Sequence, residues 1–177
     1  MDSGAQQPLG TLRSVQGVDP IWTSEVFVSD DGVELFTAFL DDLSDAAFAA
    51  VDAAIQRILL VRGIGLAGSE WLKPLGGGLH EFRVRHSAEE IAHMFGGEPS
   101  STSPTEPVLL RVFVHFHGHK VILLLSGYDK GDDPSRRRQQ RAIADARQAL
   151  RAWAGQQERK RARERRGGRR GGPGRGG

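Results

Sequence analysis

Three arginines in this sequence sit where strand geometry would aim them the same way. Arg83 and Arg85 alternate with Phe82 and Val84 in HEFRVR, and Arg111 alternates with Leu110 and Val112 in LLRVFVHF. In an extended strand successive side chains point to opposite faces, so the arginines leave the aliphatic side together. Lys73 precedes this sheet, and Tyr128 and Lys130 follow its last strand. The predicted result is a concave anion site on the face of the sheet that the helices leave uncovered. A guanidinium binds phosphate oxygens in bidentate fashion, and a tyrosine can stack on a base or donate a proton. RNA is the natural candidate ligand. Arg85, His115, Arg136, Arg137 and Arg138 would add RNA-binding charge around it. A second reading stands beside this one with about equal weight: the arginines are solvated cross-strand partners of Glu81 or of the acids in residues 87–107.

His115 shares a strand face with Arg111, and histidine as a residue type suits a general acid or base. For a lone histidine the plainer reading, a solvated or hydrogen-bonded ring, carries more weight. His115, His117 and His119 alternate as metal ligands might, but His119 sits in a turn beside Gly118 and no placed carboxylate completes a site. The expectation is no metal and no cofactor. Gly76, Gly77 and Gly78 precede a strand rather than a helix, so they read as a turn and not as a phosphate cradle.

The elements that must position these groups follow from period and punctuation. Ile21 to Val28 reads as a first strand. Asp30 or Asp31 then caps a helix with Val33, Phe36, Phe39, Leu40 and Leu43 on its apolar face, and Ser44 caps a second with Phe48, Val51, Ile55, Ile58 and Leu59, ended by Gly63 and Gly65. A strand around His80 to Arg85 follows. The Pro- and Ser-rich residues 87–107 read as a mobile insertion, after which two apolar runs flank His117-Gly118-His119 as a hairpin. Asp133-Pro134 starts a last helix with Ile143, Ala146, Leu150 and Trp153 on one face. The predicted fold is α+β: an antiparallel four-stranded sheet, two N-terminal helices on one face and a C-terminal helix, in the order β-α-α-β-β-β-α.

Composition sets the outer limits. The chain has 177 residues, one domain's worth, and no cysteine, which excludes disulfides, zinc ribbons, iron-sulfur clusters and thiol nucleophiles. The longest run of Val, Ile and Leu, Val121 to Leu125, falls far below the roughly 20 residues of a membrane span. The N-terminus has no export signal pattern, so the expected compartment is the cytoplasm. A net charge of +2 hides a polarised chain. Residues 1–60 carry net −8, residues 61–133 carry −2 and residues 134–177 carry +12. Residues 1–20 read as a disordered leader, 21–155 as the domain, and 156–177 as a basic, Arg- and Gly-rich disordered tail that binds polyanions without specificity.

The strings KPLGGGLHEFRVR, LLRVFVHFHGHKVILLLSGYDKG and DPSRRRQQRAIADAR, in that order and spacing, resemble the phage-derived, HigB-like branch of the RelE/ParE toxin superfamily. The matching positions are Lys73, Pro74, Leu75, Gly78, Glu81, Arg83, Arg111, Gly127 and Lys130. Tyr128 stands where the family often has Phe, Gly131 replaces a second lysine, and the insertion before Pro107 is a further departure. The resemblance implies the toxin of a type II toxin-antitoxin pair: a metal-independent endoribonuclease that cuts mRNA on the ribosome and is silenced by a helix-turn-helix antitoxin. It assigns Arg83 and Arg111 to the phosphate, Lys73 and Lys130 to charge neutralisation, and Tyr128 to stacking or proton donation. The same superfamily also implies two alternatives, a ParE-like inhibitor of a protein target such as gyrase and a non-toxic, RNA-binding prophage remnant.

Overall fold

The computed structural model describes residues 19–95 and 106–168. They build a mixed α+β fold on a five-stranded sheet: β1 (Thr23–Val26), β2 (Leu72–Gly76), β3 (Leu79–Val84), β4 (Leu110–His117) and β5 (Val121–Asp129). The spatial order is β1-β5-β4-β3-β2, with β1 parallel to β5 and every other pair antiparallel. The expectation of four antiparallel strands is therefore corrected twice. Leu72–Gly76 looks like a joint because it holds Pro74 and runs into three glycines, but proline is tolerated on an edge strand, and β2 is an edge. The direction of β1 was illegible because alternation is the same for parallel and antiparallel neighbours.

One face of the sheet is covered by α1 (Leu35–Asp41) and α2 (Asp45–Ala54), the latter running on through a π turn at Ile55–Leu59 into α3 (Leu60–Arg62). Ser44 caps α2 as its sequence predicts, accepting from the Ala47 N–H at 3.2 Å. Asp30 and Asp31 cap nothing; α1 begins after Glu34 without a side-chain cap. Phe36, Phe39, Val51, Ile58 and Leu59 meet Phe82, Val84, Val112, Val114, Ile122 and Leu124 in the main core. Each such fully buried side chain contributes roughly 1.5–3 kcal/mol relative to an exposed one. Phe48 and Val33 share the predicted apolar spacing yet lie exposed, on the outer side of this layer.

The other face is not open. The last helix, α5 (Arg136–Gly168), lays Ala142, Ala146 and Ala149 over Leu79, Phe113, Leu123, Leu125 and Tyr128. Alanines at four- and three-residue spacing form one face of a helix and let its axis come close to large side chains below. The helix starts at Ser135, whose Oγ accepts from the Arg138 N–H at 3.1 Å, with Asp133 binding the Ser135 N–H one step earlier. It runs to Gly168, so residues 156–168 of the predicted tail are helical; Gln156 and Arg159 tie this stretch to the loop after β1. Residues 169–177 lie outside the described residues, as do 1–18 of the predicted leader.

Within the predicted insertion, Ala88–Met94 forms a further helix, α4. Ser87 and Glu90 make a reciprocal capping box, and Ile91 and Ala92 are buried. The rest of that segment, residues 96–105, lies outside the described residues. No helix among the described residues is long and apolar enough to cross a membrane.

The approach of α1 to the sheet depends on Gly127. A Cβ there would lie 2.6 Å from two Phe39 ring carbons and 2.9 Å from the Arg111 carbonyl oxygen, so neither side can give easily. Gly127→Ala is expected to destabilise by about 2 kcal/mol. Gly65→Ala, whose Cβ meets nothing within 4 Å, should stay within about 0.5 kcal/mol. Urea unfolding of the two variants measures the difference.

Candidate functional site

Strand register brings the first group of predicted residues together. Arg83 on β3 pairs with Arg111 on β4, and Arg111 pairs with Tyr128 on β5, making one row across three strands. Glu81, two residues before Arg83, shares their face by strand period. Its Oε1 accepts from Arg83 Nε at 2.9 Å and lies 3.7 Å from Arg111 Nε. Arg111 also donates through Nη1 to the Leu110 carbonyl at 2.9 Å. Arg111 and Glu81 are 4% and 1% exposed, so the pair is withdrawn from water, whereas the Arg83 side chain keeps 21%. The arginines thus converge as expected, but on a buried carboxylate and beside a covering helix rather than on an open hollow.

Tyr128 closes the row. It is 1% exposed, its ring stacks on Phe113 with centroids 6.1 Å apart, and the Arg138 guanidinium carbon lies 5.4 Å from the ring centroid. That last contact is a cation–π geometry. Among the described residues its hydroxyl has no hydrogen-bond partner, and neither has Glu81 Oε2. Two buried polar atoms left unpaired in one cluster are unusual, since each forfeits its hydration. Burial, and then the charge of Glu81, push the phenol above its usual value, against the pull of Arg111, Arg138 and Arg83. At neutral pH Tyr128 is therefore a hydrogen-bond donor and not a phenolate. Burial pulls the Arg111 guanidinium down and Glu81 pulls it back up, and a guanidinium stays charged throughout. Counting Arg138, the cluster holds three cations against one carboxylate.

The remaining predicted residues stand at various distances from this row. Lys73 on β2 pairs in register with Glu81 and is exposed at the edge. Arg85 is exposed just past the end of β3, and its charge reaches Arg111. Lys130 continues β5, its N–H donating to the Leu109 carbonyl at 2.8 Å, with a partly exposed side chain. Arg136 and Arg137 are exposed on the first turn of α5, while Arg138 turns inward to Tyr128. His115 does not join. Four residues from Arg111, it lies roughly 13 Å along the strand, with Nδ1 2.8 Å from the Gly78 carbonyl and its ring 5.2 Å from that of Trp153. The hydrogen-bonded reading of this histidine replaces the general acid or base. No group of three or more His, Asp or Glu that could hold a metal occurs among the described residues.

Glu81 is the member whose weight the sequence reading set too low. Its signal was present, a carboxylate two residues before Arg83 on the same strand face. Arg147 was missed without any signal: from α5 it donates to the Leu75 and Gly76 carbonyls at 2.6 and 3.2 Å, fixing the β2–β3 turn beside the site. Comparison of the chain with protein-family profiles, with curated proteins and with solved structures finds no match.

Glu81→Gln keeps the shape and removes the only nearby carboxylate facing Arg111 among the described residues. It is expected to destabilise by about 3 kcal/mol, as a buried cation left unpaired does; denaturant unfolding reads this directly. Tyr128 is the sole tyrosine of the chain, so phenolate absorbance reports it alone. The phenolate should appear only above the ordinary value of 10.0. Because the folded value is raised, stability from this group is complete below pH 10 and declines as pH rises further.

Proposed function

We propose that the Arg83–Arg111–Tyr128 row binds a phosphodiester of RNA and that the chain is a metal-independent endoribonuclease, the toxin of a type II toxin-antitoxin pair acting on mRNA at the ribosome. The observation that carries the reading is the unpartnered, buried Tyr128 hydroxyl beside a cluster with excess positive charge. A phosphate oxygen supplies the acceptor that this hydroxyl lacks and the counter-charge that the arginines leave unbalanced. Arg138 lies over the ring, so a phosphate enters as that guanidinium swings aside and follows the anion inward.

The chemistry asks little of the protein. The RNA's own 2′-hydroxyl attacks the adjacent phosphorus, the bond to the 5′-oxygen of the next nucleotide breaks, and a 2′,3′-cyclic phosphate is left. Arg83 and Arg111 neutralise the charge that grows on the phosphorane oxygens, with Lys73, Arg85 and Lys130 gripping the flanking backbone. Tyr128, protonated at neutral pH, donates to the phosphorane or to the departing oxygen. Glu81 Oε2 is the free acceptor in the cluster and takes the 2′-hydroxyl proton. A helix-turn-helix antitoxin would silence the enzyme by covering this edge.

A second reading keeps the fold and drops the chemistry. The pairing of both arginines with Glu81 satisfies them internally, which suits a ParE-like inhibitor of a protein such as gyrase, or an inactive RNA-binding remnant.

Tyr128→Phe separates these without endangering the fold, because it removes an unpaired hydroxyl and nothing else. Induced wild-type protein should stop translation and cut mRNA, and Tyr128→Phe and Arg83→Ala should each lower cleavage about 10²-fold. A 2′-deoxy nucleotide at the cut should abolish it. Cleavage untouched by both variants defeats the proposal; arrest of DNA replication instead of translation favours the gyrase reading, and no effect on growth the inactive one.

A further inference from the structure

The helix α5 changes character along its length. Up to Trp153 it packs on the sheet, and Trp153 itself covers His115 and His117, ring centroids 5.2 and 4.7 Å away. Beyond it, from Gly155 to Gly168, the helix has no large apolar residue, six basic residues (Arg159, Lys160, Arg161, Arg163, Arg165, Arg166) and two glutamates. A rotation of about 100° per residue distributes those six cations around the whole circumference. Such a segment buries nothing, and like charges four apart, Arg159 with Arg163 and Arg161 with Arg165, repel along it.

Its direction is nonetheless fixed at its base. Gln156 Nε2 donates to the Val28 carbonyl and to Asp30 Oδ1, both at 3.0 Å, and Arg159 Nη2 reaches both Asp30 oxygens at 3.1 and 2.7 Å. From Lys160 onward every side chain is exposed. The hollow beside this pin is lined by Asp30 and Glu164 as well as by Arg159, Lys160 and Arg163, so it is close to neutral. Arg161, Arg165 and Arg166 lie outside that lining, and the six cations of the segment outnumber Asp30, Glu158 and Glu164 by three.

We propose that Lys160–Arg166 is an arm that binds the phosphodiester backbone of a nucleic-acid double helix, at a second contact separate from the sheet-face row. Charge on all sides of a helix matches a groove, where phosphates flank it on both sides; a protein partner covers one side only. A membrane surface asks for an apolar face of Trp, Phe or Leu on such a helix, and here only alanine and glycine are available. The arm also has a set distance from the row. Arg138, on the Tyr128 ring, and Arg163 are 25 positions apart in one helix, roughly 38 Å at 1.5 Å per residue. If the endoribonuclease reading holds, the arm grips structured RNA about that far from the cut.

The test reads binding alone, so it stands or falls separately from cleavage. Full-length protein is titrated against a fluorescent RNA duplex made non-cleavable by 2′-O-methylation, a DNA duplex, a single strand and anionic phosphatidylserine vesicles, over a range of salt. The triple variant R161Q/R165Q/R166Q keeps helix-compatible residues at exposed positions, and circular dichroism checks its fold. It should lose at least about 10-fold in duplex affinity, with the slope of log K against log salt falling by about two to three, near one per phosphate contact removed. Greater loss on RNA than on DNA assigns the arm to RNA, and the reverse to DNA, both within the proposal. An unchanged affinity and slope overturns it, as does tighter wild-type binding to single strands or to vesicles than to either duplex.

Discussion

A buried carboxylate between two guanidinium groups constrains the rest of this fold. Glu81 is almost wholly excluded from water, and its partners inside the fold are Arg83, which donates to it at 2.9 Å, and Arg111, which stands at 3.7 Å. Such an arrangement repays its desolvation only in near-ideal geometry. That geometry requires β3 and β4 in one register, with Arg83 opposite Arg111. A slip of β3 by one residue would turn Glu81 and Arg83 to the aliphatic core under α1 and α2 and leave Arg111 on the other face without them. The ion triad thus specifies the pairing of the central strands as strictly as the apolar alternation does, and from the polar side.

The same constraint explains why the polar face is sealed. Phe113 and Tyr128 flank the charged groups, and covering them removes water from the neighbourhood and strengthens every charge interaction within it. α5 provides the cover with alanines, so that its axis comes close, and with Arg138, whose guanidinium caps the Tyr128 ring. Arg147 then ties the helix to the carbonyls of the β2–β3 turn. A charged cluster, an aromatic pair and a small-residue helix thus pack together as one unit.

Much of this was legible in the sequence, and the failures have physical causes. Period two correctly separated Leu110, Val112 and Val114 from Arg111 and Phe113, and so put Arg83 and Arg111 on one side; Tyr128, expected just after the last strand, instead lies within β5 and pairs with Arg111. Alternation says which residues share a face but not what lies over it. The apolar stripe of α5 is built mainly of alanine, which signals helix more strongly than burial, and its partner face reads as polar because it contains Glu81 and two arginines. The cover over the site was hidden for that reason. α4 was masked by the proline- and serine-rich residues that follow it, although Ser87 and Glu90 at capping-box spacing announced it. The helical extension past Gly155 was invisible because its support, Asp30, lies 126 positions away from Gln156 in the chain.

α5 also links two regions of opposite demand. Its first turns must sit tight against the sheet, where Arg138 and Arg147 spend their charge on an aromatic face and on carbonyl oxygens. Its last turns have no surface to meet, and their charge is left to solvent apart from the pin at Asp30. An isolated helix of that composition would be marginal in water, because nucleation is costly and no face is buried. Here nucleation is already accomplished by the packed half, and each further residue needs only propagation. A ligand that neutralises Arg161, Arg165 and Arg166 would relieve the repulsion along the arm, so binding there and helicity there reinforce one another. Because the packed half is locked to the row of Arg83, Arg111 and Tyr128, an ordered arm also fixes the orientation of whatever it holds relative to that row, which a flexible basic tail of the same charge could not do.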